Sequence, residues 1–488
     1  MPSRTAKTRE DAVAAALSFV DDGRFVDEMR PRIAVKSESP REDCRGDIDV
    51  YLNQHIRPLL EEMDFKCRVM ENPCANRLPA LFGHRIEDHT RPTILLYGHA
   101  DVLWGMAGEW KENRDPWTVD VADGLIYGRG MADNKGQHSI NLSALRLVLS
   151  LRGRLGFNVK VWIESSEETG SIGLAELATQ YRDLLSADCL IASDGPRISA
   201  DSPTVFLGCR GTVGFRLTCN PRVGAYHSGN WGGLLPNPAI RLSHALASIT
   251  TEKGRILVPE WLPAEGVETP QVRDTLASIK IATTAADPTI DDLWGEPGRT
   301  AAAQVYGWCN FEILAFTCGQ PDAPVSAIPD LATATCHLRF VVGVEPEAVI
   351  PALRKHLDER GFQDIDIKLV ADDVYKATRT DPANPWPQLV LRSMKHTSRD
   401  INGATEPRAI TLLPNFGGSL PNHVFAEILA MPTVWIPHSY PACAQHAPNE
   451  HMPLMIAREG MQFMTGVFWD IGDIQSSELS KFRGSYIN

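Results

Sequence analysis

The chain has 488 residues, of which 43% are hydrophobic and 22% charged, so it can bury a full core and is neither disordered nor fibrous. Lys and Arg number 48 against 61 Asp and Glu, a net charge of −13, which argues against a general affinity for nucleic acid or anionic lipid. At about 150 residues per domain, two to three domains are expected.

The polar opening MPSRTAKTRED and the short apolar stretch from Ala12 to Val20, broken by Ser18, lack the apolar core of a secretory signal. No stretch reaches the roughly 18 to 20 apolar residues of a membrane span. A cytoplasmic protein without a membrane partner is therefore expected. The ten cysteines form no C-x-x-C pair, which disfavours a disulfide framework or a structural zinc site.

Apolar residues at helical spacing predict helices from Asp11 to about Phe25 and from Ile48 to Met63. Largely apolar strands follow at Thr93 to Tyr97, Val159 to Ile163 and Cys189 to Ala192, with a helix over Lys135 to Leu151 between the first two. Buried strands alternating with helices indicate an α/β domain with its central sheet covered on both faces. After Arg210 the texture changes. A strand over Thr212 to Cys219, a helix over Pro236 to Ile249, strands near Phe311 to Thr317 and Ala332 to Val342, a helix over Pro346 to Arg360 and a strand over Asp364 to Val370 give a β-α-β-β-α-β order. The stretch from Thr251 to Gly307 is poorly patterned. The Pro-rich run Asp381 to Pro387 reads as a linker, after which α/β texture resumes. The expected organisation is one α/β domain made of 1–210 and 376–488, interrupted by an inserted α+β domain at 211–375.

Five features fall after predicted strands or in loops, where open α/β sheets place ligands. They are Gly98-His99-Ala100-Asp101, Gly128-Arg-Gly-Met-Ala-Asp133-Asn134-Lys135-Gly136, Glu164-Ser-Ser-Glu167-Glu168, Ser193-Asp194-Gly195 and His446-Ala-Pro-Asn-Glu450-His451. Each has a bland reading on its own: a structural His, a turn with an Asp cap, solvated carboxylates. The glycines of the second match no phosphate-loop pattern. The fifth has one residue too many for H-x-x-E-H, and no H-E-x-x-H occurs. Jointly, two His and several carboxylates at strand ends suit borderline metals in a two-metal site.

In their order GHADV, GRGMADNKG, ESSEETGS, SDG, GCRGTVGF, YHSGNWGG, GGSLPN and QHAPNEH, the motifs resemble those of the M20 metallopeptidases, over most of the chain. The resemblance implies a zinc-peptidase-like catalytic domain with a mixed central sheet and an inserted split-βαβ lid that carries a homodimer interface. It places His99, Asp133 and Asp194 on one metal and Asp133, Glu168 and His446 on the other, with Asp101 orienting His99 and Glu167 as general base. The ions would be Zn, with Mn or Co as alternatives. In the lid, His227 is similar to a histidine that stabilises the oxyanion from the partner subunit. Arg339 is similar to an arginine that binds a substrate carboxylate, and Gly417, Gly418 and Ser419 resemble the loop that receives the same end.

The implied reaction is hydrolysis of an amide or peptide bond in a small substrate by metal-activated water. Asp194, where acylase members typically have Glu, leans toward dipeptides or peptide-like amides. Deacylation of an N-acyl amino acid, or a specialised catabolic amidase, is the alternative. A non-catalytic binding relative is disfavoured because every expected position is filled. A Ser or Cys hydrolase lacks a G-x-S-x-G elbow, and Cys443, though near His446, has no strand-turn setting.

Overall fold

The computed structural model describes residues 7–74, 77–281, 288–400 and 408–483, with backbone alone at 371–373 and 399–400. The first six residues of the polar opening lie outside this range, as does part of the poorly patterned 251–307 stretch. The chain forms two compact units, one of residues 1–207, 380–413 and 424–488, the other of 208–379 and 414–423.

The first unit is built on an eight-stranded mixed sheet, in the order Lys66–Met70, Ala80–Arg85, Asn158–Glu164, Thr93–His99, Cys189–Ala192, Thr433–Trp435, Thr204–Phe206, Thr411–Leu413. The four strands from Asn158–Glu164 to Thr433–Trp435 run parallel, so their carboxyl ends open on one edge. Side chains alternate along a strand. Ile94 and Leu96 thus join Ala12, Leu145, Met461, Val467 and Phe468 in the main core, formed by the helices Arg9–Asp21, Lys135–Arg152, Pro385–Asp400 and Leu454–Gly472. Tyr97 takes the opposite side and packs edge-on against Phe425 and Trp435.

Three local expectations change. The first predicted helix breaks at Gly23, whose left-handed backbone (φ +79°) separates Arg9–Asp21 from Arg24–Ile33. The second is helical from Arg45 to Glu62 but widens to π-helix over Tyr51–Ile56. The run Asp381 to Pro387 is more than a linker. Asn384 accepts from the Trp386 amide and starts the helix Pro385–Asp400, whose first turn tolerates proline because its amides have no intrahelical partner.

The second unit contains a four-stranded antiparallel sheet, in the order Asn310–Cys318, Ala332–Phe340, Gly211–Cys219, Ile365–Tyr375. With the helices Pro238–Ile249 and Pro346–Glu359, the elements follow the β-α-β-β-α-β order. The strand Ala332–Phe340 alternates strictly between buried and half-buried positions, as a sheet covered on one face requires. Trp261 fills the centre beside Phe215 and Phe311 and donates to Val349 O at 3.0 Å. The short segment Pro414–His423 belongs to this unit although it lies within the returning stretch, because the Phe416 amide donates to Gly208 O and Asn415 donates to Thr378 O. Among the described residues no helix is long and apolar enough to cross a membrane.

Phe468 is fully buried and stacks on Phe157 at 6.2 Å, so Phe468→Ala is expected to cost about 3 to 5 kcal/mol. Met455, half exposed on the same helix, should change stability by less than about 0.5 kcal/mol when replaced by Ala. Urea unfolding followed by tryptophan fluorescence checks the contrast.

Candidate metal centre

The parallel strands Thr93–His99 and Asn158–Glu164 are in register, with His99 opposite Glu164. Cys189–Ala192 runs parallel on the other side, so three strand ends deliver His99, the Glu167-Glu168 pair and Asp194 to one edge. Gly98 permits this approach. A Cβ there would lie 2.6 Å from Cβ of His138.

Two groups of potential ligands form. His99, Asp133 and Asp194 present ligand atoms within 4.8 Å of one another, and so do Asp133, Glu168 and His446. Asp133 is common to both. Its Oδ1 lies 3.1 Å from Nε2 of His99 and its Oδ2 3.1 Å from Nε2 of His446. His446 Nε2 is also 3.1 Å from Glu168 Oε2. Asp194 accepts from the Gly195 amide through Oδ1, while its buried Oδ2 has no hydrogen-bond partner and lies 3.6 Å from His99 Nε2. Glu167 stands beside these groups and belongs to neither, with Oε2 4.0 Å from His99 Nε2.

Asp101 contacts more than one ring. His99 Nδ1 meets its backbone carbonyl at 2.9 Å and its carboxylate at 3.3 Å. The same carboxylate accepts from the amides of Glu167 and Glu168 at 3.3 and 3.2 Å, which fixes the short 3-10 turn Glu167–Thr169.

The helix Lys135–Arg152 supplies residues that sequence reasoning missed. At its N-cap, Asn134 accepts from the His99 amide at 3.3 Å and donates to Ser193 O at 2.7 Å. Gln137 donates to Ala132 O and accepts from the His438 amide. His138 pairs Nδ1 with Asn134 Oδ1 and Nε2 with the Tyr51 hydroxyl. The available signal was a polar stripe, Asn134, Gln137 and His138, at i, i+3 and i+4 at the start of the helix. His451 of the fifth feature joins neither group and packs at a tilt against Tyr127 instead.

Burial, hydrogen bonds and neighbouring charges perturb the carboxyls of the two groups and His446. Burial raises the Glu168 and Asp194 carboxyls to about 7, with the charge of Asp133 adding in each case. Burial also pushes Glu167 well up. Burial works in the same direction on Asp133, yet hydrogen bonds from His446 and His99 outweigh it and hold that group far below its usual value. Hydrogen bonds to Asp133 and Glu168 raise His446 to about 11. Such a cluster favours positive charge in its midst.

The remaining predicted residues lie in the second unit. Arg339 donates to Ser419 Oγ at 3.3 Å, and Ser419 donates to Arg210 O. Arg210, also missed, holds Gly417 O through Nε and Nη2 at 2.9 and 2.7 Å. At Gly418 a Cβ would lie 2.6 Å from the Phe416 ring. His227 sits apart from that cluster, exposed on the short strand Tyr226–His227, and accepts from the Gly229 amide.

Residues 95–470 match the profile of peptidase family M20/M25/M40. The chain belongs to this family. It is a hydrolase acting on peptide C–N bonds, from a family that uses divalent metals. It is 27% identical over 378 residues to a cysteinylglycine-S-conjugate dipeptidase of Corynebacterium striatum, covering 74% of this chain and 76% of the relative. With a Beta-Ala-His dipeptidase of Homo sapiens it shares 26% over 418 residues, covering 81% and 78%. The fold is similar to that of human carnosine dipeptidase 1, with a TM-score of 0.72 at 22% identity over 95% of this chain and 100% of that one. It is also similar to that of an M20 metallo-carboxypeptidase of Sulfolobus solfataricus, with a TM-score of 0.74 at 22% identity over 92% and 99%.

Gly98→Ala tests the close approach that lets this M20 chain seat His99. The added methyl should cost about 1 to 3 kcal/mol, read as a lowered urea midpoint. An unchanged midpoint would mean that the strand end yields freely.

Proposed function

We propose that the chain is a dinuclear metal-dependent hydrolase that cleaves the amide bond of a dipeptide or peptide-like amide. The observation that carries this reading is Asp133, one carboxylate with its two oxygens at 3.1 Å from two different imidazoles. Two imidazoles and three carboxylates suit Zn, with Mn or Co as alternatives. The partnerless buried Oδ2 of Asp194 is the kind of donor that such an ion would satisfy. In this reading His99, Asp133 and Asp194 hold one ion, and Asp133, Glu168 and His446 the other. Bound divalent ions supply Lewis acidity and lower the pKa of water from about 16 toward 7.

Glu167 takes the proton of the attacking water and returns it to the leaving nitrogen. Its position beside both groups, and burial that strengthens its hold on a proton, support that role. Asp101 keeps His99 and the Glu167-Glu168 turn in place. In the lid, His227 is assigned to the oxyanion, and Arg339 with Gly417, Gly418 and Ser419 to the substrate carboxylate. The contact of Arg339 with Ser419 supports treating these as one subsite. A homodimer through the lid is supported by the edge strand Asn310–Cys318, which leaves Ile313, Leu314 and Phe316 exposed. Relatives named as dipeptidases favour the peptide reading over N-acyl amino acids.

Glu167→Gln should lower kcat by about 10²- to 10⁴-fold while two equivalents of metal remain bound by elemental analysis. Wild-type turnover in that variant would remove Glu167 from the mechanism. Asp133→Ala, by contrast, should lose both equivalents. A metal-reconstituted screen over dipeptides, N-acetyl and N-succinyl amino acids and aryl amides is expected to yield its highest kcat/KM on a dipeptide, and chelation should abolish it. Activity that survives full metal removal would refute the metal reading.

A further inference from the structure

Glu450, four residues beyond His446, holds the Asp133 loop from below. Its Oε1 accepts from the amides of Ala132 and Asp133 at 2.8 and 2.9 Å. Its Oε2 accepts from the Gly130 amide at 2.9 Å and from Arg129 Nη1 at 2.8 Å. Both side chains of the ion pair are about 2% exposed or less. The second branch of the same guanidinium donates from Nη2 to Ala447 O at 3.1 Å, next to His446. One buried pair therefore spans the loop that carries Asp133 and the loop that carries His446.

The His446 loop needs such support, and the Asp133 loop is closely packed at Gly130. Ala444, His446 and Asn449 have left-handed backbone, with φ of +57°, +61° and +67°, a conformation that non-glycine residues keep only where the surroundings over-determine it. Gly130 is left-handed as well, and a Cβ there would lie 2.9 Å from Val102. Replacing one partner of a buried, fully hydrogen-bonded pair leaves the other uncompensated, so the two loops respond together.

We propose that Glu450 and Arg129 are positioning residues, a buried clamp that fixes the shared carboxylate Asp133 against the imidazole of His446 and thereby sets the affinity of the site for divalent metal. This rests on the metal reading above, and neither residue belongs to the two ligand groups. Groups that orient metal ligands typically change affinity by roughly 10- to 100-fold when removed.

The test compares metal-free wild type with Glu450→Gln, Arg129→Lys and a control, Arg9→Met. Arg9 bonds Asp470, Ser393 and Thr397 between helices of the first unit. Each protein is titrated with Zn²⁺ by calorimetry against a competing chelator, and the thermal unfolding of each metal-free form is recorded. Wild type should take up two ions, and Glu450→Gln should weaken both steps by roughly 10- to 100-fold, because Asp133 serves both. Arg129→Lys keeps a cation facing Glu450 and loses the branch to Ala447, so it should weaken one step alone. That variant carries the test if Glu450→Gln does not fold. Arg9→Met should lower the unfolding temperature and leave both affinities in place. Unchanged affinities in both site variants overturn the proposal. So does an Arg9→Met variant that loses affinity in step with its stability. A wild type that binds no divalent ion sinks the metal reading itself, and the clamp with it.

Discussion

Carboxylates repel one another, and burial strengthens the repulsion. Asp133, Glu167, Glu168 and Asp194 nevertheless converge, and the rest of the first unit answers that constraint. Parallel strand ends bring the groups to one edge, and the imidazoles of His99 and His446 stand between them at hydrogen-bond distance. The pressure is visible in the carboxyls that burial and mutual charge hold near 7.

The scaffold meets the constraint with fixed donors more than with counter-charges. The Asp101 carboxylate faces His99 on one side and two backbone amides on the other. Asn134 ties the backbone of His99 to the backbone that precedes Asp194. The Glu450 carboxylate takes three amides and one guanidinium. These groups do not reorient freely, so donor atoms stay close where flexible side chains would turn away. Preorganised groups of this kind are what a hydrolytic site needs, since they cost no reorganisation when charge develops.

Much of the fold was legible from periodicity. The apolar runs Thr93–Tyr97 and Cys189–Ala192 read as buried strands because they pack on both faces, and in the second unit the strand Ala332–Phe340 was readable because it alternates. Two regions defied that logic. The Asp381 to Pro387 run looked like a linker because clustered prolines usually interrupt a helix, but Pro385 and Pro387 sit in the first turn, where a missing amide costs little. The stretch 251–307 gave no pattern because its described helices are short and bury few residues, Val272 and Leu276 in one and Ala302 and Gly307 in the other. Within the site, residue types and strand-end placement pointed to a two-metal centre, and the family resemblance singled out His99, Asp133, Glu168, Asp194 and His446 for it. Asn134, His138 and Arg210 were given no role, since an amide beside a candidate ligand, a helical histidine and an arginine in a strand-rich segment more often serve structure than chemistry.

By itself the sequence determined the chemistry on offer: histidines and carboxylates at the ends of buried strands, a lid inserted between two halves of one domain, and an order of motifs shared with one peptidase family. Tertiary structure alone decided how that chemistry is joined. Asp133 reaches His99 across 34 positions and His446 across 313, and Glu450 reaches Arg129 across 321. Local periodicity encodes which face of a strand or helix is buried. It does not encode which two distant loops will share one carboxylate, because that depends on the register of the whole sheet and on how closely residues such as Gly98 let the backbone approach.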